Sequence, residues 1–316
     1  MSAKQLVRLA IVLAGVLLLW GAVALASKRG QDRGDRSSLT RKLDTAAIDT
    51  IALMGRADST ILVRNRAGAK DATQRWRVNG NPTDPQTIND LLSGLADSEQ
   101  SAEVVARSPA SHARLHVTPD SGRLVRVIGH GRTLLDWMVG KQTVESDGVY
   151  LRQPNAPEVY VLRSRLATAL ARPADDWRSH TVSEINTDSV GAVEVVREGK
   201  SYALRRRGTG WILSSASQPD SANVAGLLSS YRELRVSGFG DKLRQDSLSQ
   251  LKPRRTARLL DRQGKQLLSM VFDSTSSGFW VQAKGAAARG SPEEWYRLES
   301  WTVDQLTPAD STLRKH

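Results

Sequence analysis

Apolar positions recur at two periods along this chain, and the alternation between the periods sets the expected elements. Ile88, Leu91, Leu92 and Leu95 fall at i, i+3, i+4 and i+7, the spacing of one helix face. Val224, Leu227, Leu228 and Tyr231 repeat that spacing 136 positions later. Each run follows a tryptophan, Trp76 or Trp211, then a polar turn and an Asp/Pro pair, Asp84 with Pro85 or Pro219 with Asp220. Each therefore reads as a strand ending at Trp, followed by an Asp-capped amphipathic helix whose apolar stripe lies on a sheet. A supersecondary unit used twice is the mark of an internal duplication.

Outside those helices the period is two. Ile48 to Met54, Thr60 to Arg64 and Gln74 to Val78 read as strands before the first helix. Glu103 to Ala106, Ala113 to Val117, Leu124 to Ile128, Thr133 to Val139, Gly148 to Arg152 and Val159 to Leu162 follow it. A short helix near Ser164 to Ala171, ended by Pro173, closes this half. In the second half, Val190 to Val196 answers Ile48 to Met54, Ser201 to Arg206 answers Thr60 to Arg64, and Ala257 to Leu259 is expected to answer Ala113 to Leu115. The expected class is α+β: two tandem related β-rich domains, 43–182 and 183–316, each a mostly antiparallel sheet with a covering amphipathic helix, behind one N-terminal transmembrane helix.

That transmembrane helix is expected over Leu9 to Ala26, eighteen residues without a charge, preceded by a short cytoplasmic stretch, 1–8, that carries Lys4 and Arg8. Ala24 to Ala26 forms an A-x-A pattern before Ser27, so signal-peptide cleavage is the alternative. Lys28 and Arg29 follow at once and favour a retained anchor. Residues 27–42 read as a basic linker. Its charge would hold the following domains in the cytoplasm by the positive-inside rule, but a large domain behind a single helix translocates largely regardless of charge. The expectation is a single-pass protein of the inner membrane with the bulk of the chain outside the cytoplasm.

The formal charge of +12 over 316 residues would suit an anionic partner, yet arginine is spread along the whole chain, which describes a solvated surface, and no nucleic acid is expected. Zero cysteines exclude disulfides, thiolate metal sites and a cysteine nucleophile.

The order of hydrophobic segment, basic tether, Trp strand, Pro/Asp-started helix, strand-ending Gly140-Lys141, Gly148 to Arg152 and Val159 to Leu162 resembles the bacterial domain-of-unknown-function family 4340. The first copy shows Ser108, Pro109 and Ala110 where that family has a Gly-Leu-x-x-Pro lead-in; Leu251 and Pro253 in the second copy are nearer to it. The resemblance implies a membrane-anchored, extracytoplasmic accessory of ABC-type transport systems of the gliding-motility kind. Its partners would be the lipid bilayer and an integral-membrane ABC-type permease or related accessory protein.

Motifs for chemistry are sparse. His112 and His116 have i, i+4 spacing, but in a strand that spacing separates two side chains by about 13 Å, and no metal site is expected. No nucleophile elbow, zinc-protease helix, phosphate-binding loop or EF-hand loop occurs, so no catalytic residues and no cofactor are expected. Two surfaces remain. Arg205, Arg206 and Arg207 with Arg254 and Arg255 form a candidate anion patch, since guanidinium forks suit phosphate oxygens; solvated charge is the plainer reading. Trp280 and Trp295 point away from the core if Val281 and Leu298 face it, which would make a platform for a glycan or partner unless a neighbouring element covers them. The expected role is thus a non-catalytic accessory or scaffold subunit, with a cell-envelope glycan-binding module as the alternative and a hydrolase behind it.

Overall fold

The structure is a computed structural model that describes residues 42–56, 58–65, 75–97, 101–215, 217–240, 246–248, 253–275 and 278–315. The first strands are β1 (Ile48–Met54), β2 (Ser59–Arg64), β3 (Trp76–Val78) and β4 (Asn81–Pro82). After helix α1 (Pro85–Ala96) come β5 (Ser101–Ala106), β6 (Arg123–Gly129), β7 (Arg132–Gln142), β8 (Val149–Arg152) and β9 (Val159–Arg163), then helix α2 (Arg165–Ala171). These nine strands form one sheet in the order β4-β3-β2-β1-β6-β7-β8-β9-β5.

The second half contributes β10 (Thr181–Glu184), β11 (Val190–Arg197), β12 (Lys200–Arg207), β13 (Gly210–Leu213) and helix α3 (Ser221–Arg232). β14 (Glu233–Arg235), β15 (Gly238–Phe239), β16 (Arg255–Asp261), β17 (Gln266–Thr275), β18 (Gly278–Lys284), β19 (Tyr296–Leu298) and helix α4 (Ser300–Leu306) complete it. Its eight-stranded sheet runs β13-β12-β11-β16-β17-β18-β19-β15, while β10 and β14 form a separate two-stranded ribbon. With β4 removed, the two large sheets have the same strand order. Even the irregularities coincide, because β1 shifts register against β6 between Ile48 and Thr50, and β11 shifts against β16 between Val190 and Ala192.

The α+β expectation is corrected: the protein is mostly antiparallel β, in three sheets, with few helices among the described residues. The helices dominate the sequence pattern because two twelve-residue stripes stand out, whereas the ladders that outweigh them are built from many short, weakly marked strands. The expected transmembrane helix over 9–26 lies outside the described residues, and among the described residues no helix is long and apolar enough to cross a membrane.

The strand expected over Ala113 to Val117 is also corrected. That segment is a chain of turns, with His116 at a φ of 58°, and Lys141 N donates to the carbonyl of Leu115. The counterpart of β16 is β6 instead, since Leu259 opposes Val193 as Val127 opposes Ile51.

The helices carry the stripes their spacing predicts, with one difference. Val224, Leu227, Leu228 and Tyr231 are all buried, and Asp220 caps α3 by accepting from Ala222 N and Asn223 N. In α1, Ile88, Leu91 and Leu95 are buried but Leu92 is only half-buried. A second short helix accompanies each. A Cβ on Gly94 of α1 would sit 3.0 Å from Cβ of Leu166 in α2, so glycine is what lets that approach occur. In the second half the Tyr231 hydroxyl donates to the Leu306 carbonyl of α4, and full burial pushes the phenol pKa up.

By backbone proximity the chain divides into two compact units, the described residues of Met1–Arg64 with Gln86–Pro173, and those of Asn65–Pro85 with Ala174–His316.

Candidate functional site

The arginines of the candidate patch are not neighbours. Arg205 opposes Ala192 and Arg255 opposes Arg197, five residues apart along β11. At about 3.4 Å per residue the two groups stand roughly 17 Å apart, at opposite ends of that strand. Arg205 and Arg207 are exposed, and Arg205 lies 3.7 Å from Glu194. The guanidinium of Arg206 stacks 5.2 Å over the Trp211 ring.

The other end is more structured. β11 and β12 are joined by a two-residue turn, Glu198 and Gly199, with φ of 51° and 80°; this doubly left-handed turn suits the strand twist and favours glycine at its second position. The turn brings Glu198 to the start of β16, where Glu198 N donates to the Arg254 carbonyl. Arg255 is largely buried. It donates to Asp304 of α4 at 2.6 Å and to Glu198 at 3.3 Å, and its guanidinium lies 5.7 Å from the Phe279 ring. Asp304 also receives Arg197 at 3.2 Å.

Beside these groups is a cavity of about 230 Å³ lined by Glu198, Arg254, Arg255, Phe272, Asp273, Ser274 and Phe279. Asp273 is only 6% exposed. Its Oδ1 accepts from Ser274 N at 2.7 Å, while its Oδ2 is buried without a donor among the described residues. A buried carboxylate oxygen left so is uncommon in native proteins and calls for an explanation. Sequence reasoning reached Arg254 and Arg255 but missed Glu198 and Asp273. The Glu-Gly turn signal was available for the first; for the second there was none, because its burial depends on what covers β17.

Trp280 and Trp295 do leave the main core, for Val281 and Leu298 belong to it. They form a satellite cluster with Leu248, and each is 5% exposed. Rings buried to this degree have no free face for stacking in this structure. Among the described residues the exposed tryptophan is Trp301 on α4, at 61%.

Among the histidines, His112 Nε2 contacts the Pro157 carbonyl and His180 Nδ1 the Val236 carbonyl. Among the described residues no group of three or more acids and histidines is placed to hold a metal. Arg152, buried in the first half, donates to the carbonyls of Val117, Gln153 and Ala156, which pins the loop after β8. Burial lowers its pKa, but a guanidinium stays charged.

The outward faces of the two sheets differ more than their strand orders. In the first, the rows Val63-Thr50-Ile128, Ile61-Ala52-Arg126-Asp136 and Leu124 beside Met54 make an apolar surface around one ion pair. Ile61 is 40% and Val63 46% exposed. In the second, the equivalent rows are Arg205-Ala192-Leu260, Ala203-Glu194-Arg258 and Ser201-Val196-Thr256.

Residues 76–255 match the model of a domain of unknown function (DUF4340). No curated protein and no solved structure matches the chain.

Proposed function

The chain belongs to the domain-of-unknown-function 4340 family, and we propose that it is a non-catalytic, membrane-anchored scaffold subunit of an ABC-type transport assembly. The observation that carries this reading is the outward face of the first sheet. A duplicated β platform that exposes Ile61 and Val63 beside Ala52, Leu124 and Ile128 on one copy, and charge on the other, has one copy suited to an apolar partner surface. Burying such a face against a permease subunit would contribute roughly 25 cal/mol for each Å² removed from water. The uncharged run Leu9 to Ala26 is the proposed anchor, and the bulk of the chain is proposed to stand outside the cytoplasm.

The experiment is affinity purification of the full chain from its native membranes with a photo-crosslinker at position 63. Crosslinks to a polytopic permease are expected from position 63 and not from position 205. Val63→Arg, which installs the residue of the second copy, should abolish co-purification, and Arg205→Val should not. Retention of the partner by Val63→Arg with no crosslink from position 63 refutes this face as the docking surface. Alkaline phosphatase fused after His316 should be active; an inactive fusion beside a fluorescent cytoplasmic one refutes the topology.

A further inference from the structure

We infer that the trough on the outward face of the second sheet is a binding site for a neutral saccharide. This goes beyond the scaffold reading and does not rest on it.

Strand register puts the lining side chains on one face. Glu194 of β11 opposes Ala203 of β12 and Arg258 of β16, and Val196 opposes Ser201 and Thr256 in the next row. Directly opposed residues leave a sheet on the same side, and so do residues two apart on one strand. Ser214 extends the Glu194 row beyond β12, because its N donates to the Ala203 carbonyl and its Oγ accepts from Ala203 N. Together these residues line a trough of about 460 Å³. Thr256 in turn opposes Val271, which packs against the covered cluster of Leu248, Trp280 and Trp295.

The groups left open then decide the class of ligand. In the first copy Arg126 and Asp136 answer each other with two hydrogen bonds. In the trough Glu194 stands 3.8 Å from Arg258 and 3.7 Å from Arg205, beyond hydrogen-bond length, and none of these three side chains makes a hydrogen bond among the described residues. The hydroxyls of Ser201 and Thr256 make none there either. A carboxylate only accepts and a guanidinium only donates, so a molecule that satisfies the trough must bring both donors and acceptors. A simple anion meets the charge of Glu194, and a simple cation meets two guanidiniums. Vicinal sugar hydroxyls donate and accept at once and carry no charge.

The floor suits the same class. Val196, 37% exposed, and Ala203 offer a small apolar patch to the C–H face of a sugar ring. From Ser214 to Arg258 is three inter-strand steps, roughly 14 Å at about 4.8 Å each, which is long enough for a disaccharide. The volume also falls within the range of about 300 to 1,000 Å³ usual for ligand sites.

The test is ligand-observed NMR titration of the full-length protein in a sugar-free detergent with maltose, cellobiose and chitobiose, and with inorganic phosphate, ethylamine and alanine as anion, cation and zwitterion. At least one disaccharide should bind saturably, and each charged probe at least ten-fold more weakly. Glu194→Ala and Arg258→Ala should each weaken that binding at least ten-fold, and Ala203→Trp, which fills the trough, should abolish it. Arg126→Ala, at the equivalent place in the first copy, should leave it unchanged. Arg258 is exposed, so its variant keeps the fold and decides the matter even if Ala203→Trp unfolds. No saturable binding of any of the three disaccharides, tighter binding of a charged probe, undiminished binding by Arg258→Ala, or loss of binding in Arg126→Ala would each overturn the assignment.

Discussion

The two copies of the sheet share strand order and register shift, yet they treat one equivalent arginine differently. Arg126 on β6 and Arg258 on β16 occupy the same position. In the first copy the acid is Asp136 on β7, which accepts from Nη2 of Arg126 at 2.7 Å and from Nε at 3.3 Å. In the second copy β7's counterpart residue is Ser269, and the acid has moved to the opposite neighbour as Glu194 on β11, 3.8 Å from Arg258 and 3.7 Å from Arg205. Moving one carboxylate across one strand frees position 52 to be alanine in the first copy, and the apolar outward face depends on that. Backbone pairing, not side-chain identity, is what the duplication has kept.

A second pair of equivalents is Arg123 and Arg255, each opening its strand. Arg123 donates to Asp58 and to the carbonyls of Leu170 and Arg172 at the end of α2. Arg255 reaches Glu198 and the Asp304 side chain of α4. In both copies an arginine ties a hairpin turn to the second helix. The first copy uses the helix backbone and the second a side chain.

Four measurements separate the two copies. The largest effect should come from the equivalent leucines of α1 and α3. Leu91→Ala and Leu227→Ala are each expected to cost about 2 to 5 kcal/mol, the range for emptying a packed core site. If the copies have separate cores, calorimetry should show each variant lowering a different transition. Leu228→Ala should cost more than Leu92→Ala because only Leu228 is buried. Equal shifts of one shared transition would join the two copies into a single core.

Next come the strand-opening arginines. Arg123→Ala should destabilise by about 1.5 to 3 kcal/mol, since it strips helix-end carbonyls of a charged donor. Arg255→Ala should cost about 1 kcal/mol or less, because its partners Glu198 and Asp304 are exposed and regain water. Denaturant midpoints that rank the two in reverse would show that they are not equivalent ties.

A smaller difference is expected for the displaced acids. Asp136→Ala and Glu194→Ala should each fall within about 1 kcal/mol, with Asp136 the larger because its pair has two bonds and Glu194 only loose contacts. A larger loss at Glu194 in urea melts would mean that its two arginines stabilise the sheet more than their distances suggest.

The smallest effect belongs to the ribbon of β10 and β14, which among the described residues occurs in the second copy alone. The Thr181 hydroxyl, and then Arg235, hold the Glu233 carboxyl below its ordinary pKa. A depressed folded pKa gives stability that is present above the unfolded value and lost as pH falls through the folded one. Stability measured from about pH 6 to about pH 3 should therefore decline slightly less in Glu233→Gln than in the wild type. The group is largely exposed, so an identical decline in both would show that screening cancels it.

Much of the fold was legible along the chain. The stripes of α1 and α3, the Asp220 cap, the short helix after Val159 to Leu162 and most strands follow from local spacing, because burying one face requires apolar residues at the period of the element. The misassigned strand at Ala113 to Val117 shows the limit: alternating apolar residues also occur in turns, and only β6 has the long-range partners that make a ladder. Of the candidate site, Arg254 and Arg255 were visible as charge, whereas their separation from Arg205 and Arg207 was not, since only the register of β12 and β16 on β11 sets how far apart the two groups stand.

By itself the sequence determined the duplication, the period of each element and which face of each helix is apolar. Those are properties of residues within a few positions of one another. Tertiary structure alone decided that Trp280 and Trp295 are covered by Leu248, that Asp273 is buried with an oxygen unanswered, and that the first sheet keeps an apolar outward face while the second is charged. Each of these depends on what a distant segment lays over a strand. A strand's alternation says which side chains share a face, but it carries no information about what covers that face.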